Sequence, residues 1–256
     1  MCKIIKSGEL TVKIFASRSL MGMHAANEIK EKIVELLKVK PEINIIFAAA
    51  PSQNEVLECL SKNKDIEWSR INAYHMDEYI GLNKNAPQGF GNFLKARIFG
   101  LVPFKSVNYI DVSATDPENE VARYSELLEK NPPDIVVMGI GENGHIAFND
   151  PYVADFHDTK KVKIVKLDDV CRQQQVNDGC FKSLSDVPTH AVTLTIPTLV
   201  SAEWIFCIVP ACTKSKAVYD TVNGNIDELC PASILRTRRN SRLYLDNDSS
   251  KLLCLN

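Results

Sequence analysis

The 256-residue sequence has no apolar run long enough to cross a membrane, and its first residues lack the features of a secretory signal. Its formal net charge is only −2, so no positive field favours nucleic acid or an anionic membrane as partner. Its eight cysteines include no Cys-x-x-Cys pair and no accompanying histidine pair, which argues against a structural zinc site. We therefore expect a cytoplasmic protein with reduced thiols, no metal, and no nucleic-acid or membrane partner.

Short apolar runs alternate with helical patterns along most of the chain. The predicted strands are residues 43–48, 71–75, 134–138, 162–165, 204–209 and 243–245, and the predicted helices are residues 19–37, 52–60, 88–99, 118–129 and 213–222. This alternation predicts an α/β fold with three layers, in which helices cover both faces of a mainly parallel, Rossmann-like sheet. We expect a single domain over residues 1–256, and one helix without a strand in the first forty residues.

Sheets of this kind bind ligands beyond the carboxyl ends of their strands. Candidate site residues are therefore expected just after Ala48, His75 and Met138, where three predicted strands end. Two of these segments carry side chains suited to acid–base chemistry.

Residues 139–151 (GIGENGHIAFNDP) contain three glycines at the spacing of a dinucleotide-binding fingerprint. That fingerprint needs a helix that begins within the glycines, and Pro151 interrupts such a helix. We interpret the glycines as letting the backbone approach a ligand closely, with a purely structural turn as the alternative. His145 lies in this loop and imidazole exchanges protons near neutral pH, while Asp150 is placed to orient it.

The second segment places Asp77 and Glu78 directly after a predicted strand. If the backbone stays extended there, the two side chains point to opposite faces, so one enters the site while the other is bonded within the structure. Solvated turn residues are the alternative interpretation of this acidic pair.

Residues 76–82 (MDEYIGL) and 141–151 (GENGHIAFNDP) together closely resemble the glucosamine-6-phosphate deaminase (isomerase) family, which includes galactosamine-6-phosphate isomerase-like members. Further matches lie at residues 194–199, 202–203 and 213–217. The resemblance implies a sugar-phosphate substrate and no cofactor. The family opens the ring of a hexosamine phosphate, moves a proton from C2 to C1 and releases ammonia to give a ketose phosphate. A homo-oligomer is compatible with the sequence.

The same resemblance implies catalytic roles for four residues. Asp77 matches the base that takes the C2 proton, and His145 matches the group that assists ring opening. Asn143 stands where some relatives carry an acid that supports this histidine, and Asp150 stands where many carry Glu.

For the phosphate, Lys214 matches a family lysine, and Arg172 lies on a segment expected to close over the substrate. Ser52 and Gln53 can offer donors at a helix start, and Gly144 can offer close backbone approach. Solvated surface charge is the alternative for both cations.

The chain departs from the family at residues 48–54 (AAAPSQN), where relatives carry a Gly-Gly-Thr-Pro-like phosphate loop. Because of this departure, the sequence indicates the type of reaction more clearly than the identity of the substrate.

Three rival functions remain. A 6-phosphogluconolactonase has a similar fold and glycine–histidine loop, but typically carries Asp-Glu-Arg where this chain has Asp77-Glu78-Tyr79. A galactosamine-6-phosphate enzyme fits most residues equally well. A non-catalytic sugar-phosphate sensor is the third, although such sensors normally adjoin a DNA-binding helix-turn-helix.

Overall fold

The computed structural model of the chain describes residues 2–112 and 116–253. Its strands are β1 (Lys3–Ser7), β2 (Leu10–Phe15), β3 (Ile43–Phe47), β4 (Ile71–His75), β5 (Asp77–Tyr79), β6 (Ser106–Asn108), β7 (Ile135–Met138), β8 (Val162–Lys166), β9 (His190–Leu194), β10 (Trp204–Val209) and β11 (Ser241–Asp246). Its helices are α1 (Arg18–Leu37), α2 (Asn54–Ser61), α3 (Phe90–Leu94, continued by a π-helical turn at Lys95–Phe99), α4 (Pro117–Lys130), α5 (Asp169–Asn177), α6 (Ile196–Val200) and α7 (Ser215–Asn223). Short 3₁₀ turns occupy Pro51–Gln53, Trp68–Arg70, Leu184–Asp186, Cys212–Lys214 and Pro231–Thr237.

The main sheet has the strand order β1-β2-β11-β10-β7-β3-β4-β6, and all its neighbours are parallel except β1 and β2. Successive residues of its central strands point to opposite faces, so one face packs against α1 and α2 and the other against α4, α6 and α7. The predicted fold class, a three-layer α/β fold with a mainly parallel sheet, is confirmed.

The central strands end at the same level. Phe47 of β3 lies opposite His75 of β4 and Val137 of β7, and Met138 of β7 lies opposite Cys207 of β10. The segments that leave these four strands therefore meet at one edge of the sheet, as the sequence predicted for three of them.

A second, antiparallel sheet with the order β5-β9-β8 lies beside this edge. Its strand β5 follows β4 after a single residue, Met76, and pairs with β9 so that Asp77 lies opposite Thr193. Of its three strands only β8 was predicted, and β5 and β9 were missed. Strand β5 is three residues long and carries two carboxylates, which hides it in the sequence.

The predicted helix at residues 19–37 is present as α1, but the expectation that no strand precedes it is wrong. Strands β1 and β2 form a hairpin there, turned by Gly8 with its positive φ of 57°. Leu10, Val12 and Ile14 alternate with polar residues and are buried against the sheet, which is the period-two pattern of a strand. Helix α1 begins only after Ser17, whose Oγ accepts the N–H of Leu20 at 3.3 Å.

The cysteines of the described residues form no disulfide. Those that are buried are Cys171, Cys207 and Cys230. Cys2 and Cys212 are exposed and do not serve as core residues, and Cys254 lies outside the described residues. No helix in the described part of the chain is long and apolar enough to cross a membrane.

Candidate active site

A cleft opens at the edge where the central strands end. It lies between the segments that follow β3, β4, β7 and β10, and α5 forms a further wall. The polar and charged residues in its lining are Arg18, Ser52, Asp77, His145, Gln174, Gln175, Asp178, Thr213 and Lys214. Phe90 and Phe148 supply apolar surface.

His145 is held by two neighbouring polar side chains. Its Nδ1 lies 2.7 Å from Oδ1 of Asn143 and 3.1 Å from Oδ1 of Asp150, and the Asn143 amide donates to Asp150 at 2.9 Å. Both neighbours of Nδ1 are acceptors, so Nδ1 carries the proton and Nε2 remains available to a ligand. Burial disfavours the Asp150 carboxylate, but the bonds from His145 and Asn143 outweigh burial and hold the pKa of Asp150 below its ordinary value.

The turn between His145 and Asp150 is built to bring the two together. Ala147 has a positive φ of 49°, and the buried Asn149 donates to the carbonyls of Ile146 and Leu194, both at 2.9 Å. An alanine in the left-handed region is uncommon, and this one is held by the bonds on its C-terminal side.

Gly141 lies against the imidazole of His145. A Cβ at Gly141 would lie only 2.1–2.3 Å from three atoms of the His145 ring, so only glycine leaves space for the ring. The N–H of Gly141 also donates to the carbonyl of His145 at 2.9 Å.

Asp77 and Glu78 diverge as extended backbone requires. Asp77 lines the cleft, whereas Glu78 accepts the N–H groups of Tyr79, Phe90 and Gly91 at 2.8–3.0 Å. Burial raises the pKa of Glu78, and these bonds offset part of the rise. Burial raises the pKa of Asp77 well above its ordinary value of 3.8, and the adjacent Glu78 adds to the rise. Asp77 is thus the carboxyl with a raised pKa that faces the cleft.

His75 positions the backbone of Asp77. Its Nδ1–H donates to the Asp77 carbonyl at 3.0 Å, and its Nε2 accepts the N–H of Ile110 at 2.8 Å. The Tyr124 hydroxyl donates to the carbonyl of His75 at 3.0 Å. Burial lowers the pKa of His75 to about 4, so the ring is neutral and acts as a bridge between segments.

The part of the cleft lining that includes Lys214 is suited to an anion. Lys214 is 6% exposed, and its Nζ has no hydrogen-bond partner among the described residues. Burial lowers its pKa, which nearby acidic side chains partly counteract. The N–H groups of Ala49 and Ala50 also make no bond within the described part of the chain. A buried amine without a partner in a cleft wall is the expected arrangement for binding an anionic ligand.

Comparison with known proteins decides the family. The model of the glucosamine-6-phosphate isomerases/6-phosphogluconolactonase family matches residues 16–244. The chain belongs to this family.

Curated relatives of this family include proteins named glucosamine-6-phosphate deaminase. One from Listeria monocytogenes serotype 4a (strain HCC23) is 33% identical over 240 residues, covering 94% of this chain and 99% of the relative. One from Bacillus cytotoxicus is 32% identical over 222 residues, covering 86% and 82%. The chain is a sugar-phosphate enzyme of this family.

Solved structures show the same fold. A monomeric glucosamine-6-phosphate deaminase superposes with a TM-score of 0.85 at 26% identity, covering 94% of this chain and 99% of that one. A 6-phosphogluconolactonase from Thermotoga maritima superposes with a TM-score of 0.75 at 18% identity, covering 93% and 99%. The second likeness concerns the fold alone.

The structure brings most of the predicted site residues together. Asp77, His145, Ser52 and Lys214 line the cleft, and Asn143 and Asp150 hold His145 from behind. Their roles in a reaction of this family stay predictions.

Three predicted substrate-binding residues lie outside the cleft lining. Gln53 is fully buried beneath it, and its amide donates to the carbonyls of Met138 and Ile208 at 3.3 and 3.2 Å. The carbonyl of Gly144 accepts the N–H of Ala232 at 2.9 Å.

Arg172, the third of these residues, points away from the cleft. It pairs with Asp169 at 2.9 Å and donates to two carbonyls of the segment after α5, those of Leu184 and Val187. Its bonds tie α5 to that segment, and nothing in this geometry gives Arg172 a contact with the ligand.

Five polar or charged lining residues were not among the site residues predicted from the sequence, namely Arg18, Gln174, Gln175, Asp178 and Thr213. Arg18 begins a helix far from both motifs, where a charged residue is usually solvated. Gln174 and Gln175 follow Arg172 on α5, and Gln174 accepts the N–H of Glu142 at 2.9 Å. The run of glutamines at residues 173–175, next to Arg172 on a segment expected to close over the substrate, was the sequence signal that could have identified α5 as a cleft wall.

One cluster in the described residues has metal-ligand chemistry. The ligand atoms of His145, Asp150 and Cys171 all lie within 4.8 Å of one another. His145 and Asp150 already bond each other. Burial and nearby carboxylates raise the pKa of the Cys171 thiol, which keeps it protonated and makes it a poor metal ligand. We therefore interpret the three residues as a hydrogen-bonded group.

We predict that His75 makes the stability of the fold depend on pH. Its pKa is about 4 when folded against an ordinary 6.5, so the unfolded chain takes up a proton first as the pH falls. Protonation of the unfolded chain therefore lowers the free energy of unfolding as the pH falls from about 6.5 to about 4. The total decrease is about 3 kcal/mol. The raised pKa values of Asp77 and Glu78 have the opposite effect, because they favour the folded protein at low pH. The contribution of His75 is therefore measured as the difference in unfolding free energy between the wild type and a variant without the imidazole.

Urea unfolding of the wild type and His75→Gln between pH 4 and 7 tests this. The free-energy advantage of the wild type should shrink as the pH falls. Tyr124→Phe, which keeps the imidazole, should lower stability but keep the pH dependence of the wild type. Equal slopes for His75→Gln and the wild type would contradict a neutral buried His75.

We predict that Gly141→Ala inactivates the protein without unfolding it. The new Cβ must displace the His145 ring from Asn143 and Asp150, and loss of a positioned acid or base costs about a hundredfold or more in rate. Gly89→Ala is the matched control, because Gly89 lies outside the cleft lining and its Cβ would meet nothing closer than the Ala86 carbonyl, at 3.3 Å. Circular dichroism checks the fold and steady-state kinetics check turnover. Comparable turnover for both variants would show that the ring position does not matter.

Proposed function

We propose that this protein isomerises and hydrolytically deaminates a hexosamine 6-phosphate, in a reaction that consumes one water and gives a ketose phosphate and ammonia. The observation that carries the proposal is that Asp77, His145 and the unpartnered Lys214 line one cleft. They supply a carboxylate base, an oriented imidazole and a cation for the phosphate, which are the groups this reaction requires.

The proton transfer from C2 to C1 is assigned to Asp77. The transfer needs a base that can take a proton from carbon and return it, and such a base works best when its pKa lies near the working pH. Burial and Glu78 both raise the pKa of Asp77 in that direction. The hydrogen bond from His75 fixes the backbone that carries this carboxyl.

Ring opening is assigned to Nε2 of His145. Opening a cyclic hemiacetal moves a proton from the C1 hydroxyl to the ring oxygen, so the catalyst must accept and donate through one atom. Nδ1 is held by Asn143 and Asp150, and the ring therefore presents Nε2 to the ligand. The ionised Asp150 stabilises the imidazolium formed when Nε2 takes the proton.

The phosphate is assigned to the end of the cleft formed by Lys214, Ser52 and the loop 48–50. A dianionic phosphate recovers the cost of burying the Lys214 amine. Ser52 and the N–H groups of Ala49 and Ala50 offer further donors.

The relatives support the deaminase over the lactonase. Curated proteins at 33% identity carry the deaminase name, and a deaminase structure is 26% identical to this chain, whereas the lactonase structure from Thermotoga maritima is 18% identical. Tyr79, which stands where lactonases carry Arg, is fully buried among Phe90, Phe148 and Phe181. A charged arginine would have no partner among these rings.

We predict that Asp77→Asn abolishes ammonia release from glucosamine 6-phosphate and galactosamine 6-phosphate, with kcat reduced about a hundredfold or more. The wild type should release ammonia and ketose phosphate from at least one of them. Glu78→Gln is the control, since it should mainly lower stability by breaking a backbone bond. Acid release from 6-phosphogluconolactone without ammonia release would assign the lactonase function instead.

We also predict that kcat/KM rises with pH through the pKa of Asp77. A base acts only when deprotonated, so activity is lost as the pH falls through a pKa well above 3.8. Glu78→Gln removes a like charge and should move this acidic limb to lower pH. If the acidic limb of the pH profile does not move in Glu78→Gln, after correction for the fraction of folded protein at each pH, a group other than Asp77 controls it.

A further inference from the structure

Arg18 lies in the cleft but has no part in the chemistry described above. It is the first residue of α1, and its side chain is among those that line the cleft together with Ser52 and Lys214. Among the described residues of the lining, Arg18 and Lys214 are the only two cations, against the carboxyl groups of Asp77 and Asp178.

The guanidinium of Arg18 is held on one side only. Its Nε donates to Oε1 of Glu55 at 2.7 Å, and its Nη2 donates to the carbonyl of Pro51 at 2.5 Å. Its Nη1 has no partner among the described residues, so N–H donors remain for a ligand. Because Pro51 directly precedes Ser52, the guanidinium is bonded to the loop that forms the anion end of the cleft.

The packing of α1 on α2 holds this geometry in place. Gly22, one turn after Arg18, lies so close to Glu55 that a Cβ there would be 2.4 Å from the Glu55 Cβ. The two helices therefore approach closely, and Glu55 is fixed beneath Arg18. A guanidinium held in position loses little side-chain freedom when it binds a ligand.

Charge balance favours a second cation at this end. A sugar phosphate carries close to two negative charges near neutral pH, and Lys214 supplies one positive charge. Arg172, the other candidate from the sequence, is bonded to Asp169 and to carbonyls outside the cleft. In the described cleft lining Arg18 is the cation besides Lys214, its Nη1 makes no bond to a described residue, and a planar guanidinium suits a phosphate better than an amine does.

We propose that Arg18 binds the phosphate group of the substrate together with Lys214 and gives the cleft its preference for phosphorylated sugars. This rests on the proposed function only in taking the ligand to be a sugar phosphate. The competing account is that Arg18 is a structural tether between α1 and α2.

Binding of inorganic phosphate and of glucosamine 6-phosphate, measured by calorimetry, tests the proposal without requiring turnover. Arg18→Gln should weaken both at least about tenfold, the usual effect of losing a charge-assisted bond. Arg70→Gln is the matched control, since Arg70 bonds the carbonyls of Leu37 and Lys40 away from the cleft. It should leave phosphate affinity unchanged.

Glu55→Gln separates binding from tethering. It breaks the same ion pair but keeps the guanidinium and removes a negative charge, so phosphate affinity should be retained or increased while urea stability falls. If Glu55→Gln loses as much affinity as Arg18→Gln, or if Arg18→Gln loses stability alone, Arg18 is a tether and the proposal is wrong. Phosphate binding that depends on Arg18 in a protein that releases no ammonia would refute the deaminase and leave this site standing.

Discussion

The common level at which β3, β4, β7 and β10 end is the constraint on which the candidate site depends. Parallel pairing aligns the carboxyl ends of these strands, so residues more than a hundred positions apart in the chain line one cleft. The strands themselves are buried on both faces and contribute no chemistry. What they contribute is the fixed position of the segments that follow, including those that carry Asp77 and Lys214.

The buried charges at this edge fall into two kinds. Asp150 and Glu78 receive their hydrogen bonds from the protein, and they hold other groups in place. Asp77 and Lys214 face the cleft, and burial shifts the pKa of each towards its neutral form. Burying such groups without a hydrogen-bond partner among the described residues lowers the stability of the fold. Selection for stability alone would not keep them there. The cost is recovered where a ligand supplies the missing partner, which is why these two residues define the ends of the proposed site.

The sequence predicted the parts of the site that depend on neighbouring residues. Asp77 and Glu78 diverge because an extended strand alternates its side chains, and His145 meets Asp150 across a short turn. It missed contributions that depend on packing between distant elements. Arg18 reaches the cleft only because α1 packs on α2 through Gly22, and Arg172 turns away because carbonyls at Leu184 and Val187 accept its donors. The N-terminal hairpin was missed although Leu10, Val12 and Ile14 show a strand pattern, since the stronger helical pattern of α1 follows directly.

The altered loop after β3 bears on how the phosphate is held. The family resemblance led us to expect a double glycine there, and its absence suggested a constrained backbone. None of the described residues from Ala48 to Asn54 has a positive φ, however, and Ala50 is extended at −150°. The loop therefore needs no glycine freedom for its path, and the alanines are accommodated without strain. The N–H groups of Ala49 and Ala50 make no bond within the described part of the chain, so the altered loop still leaves backbone donors beside the proposed anion site.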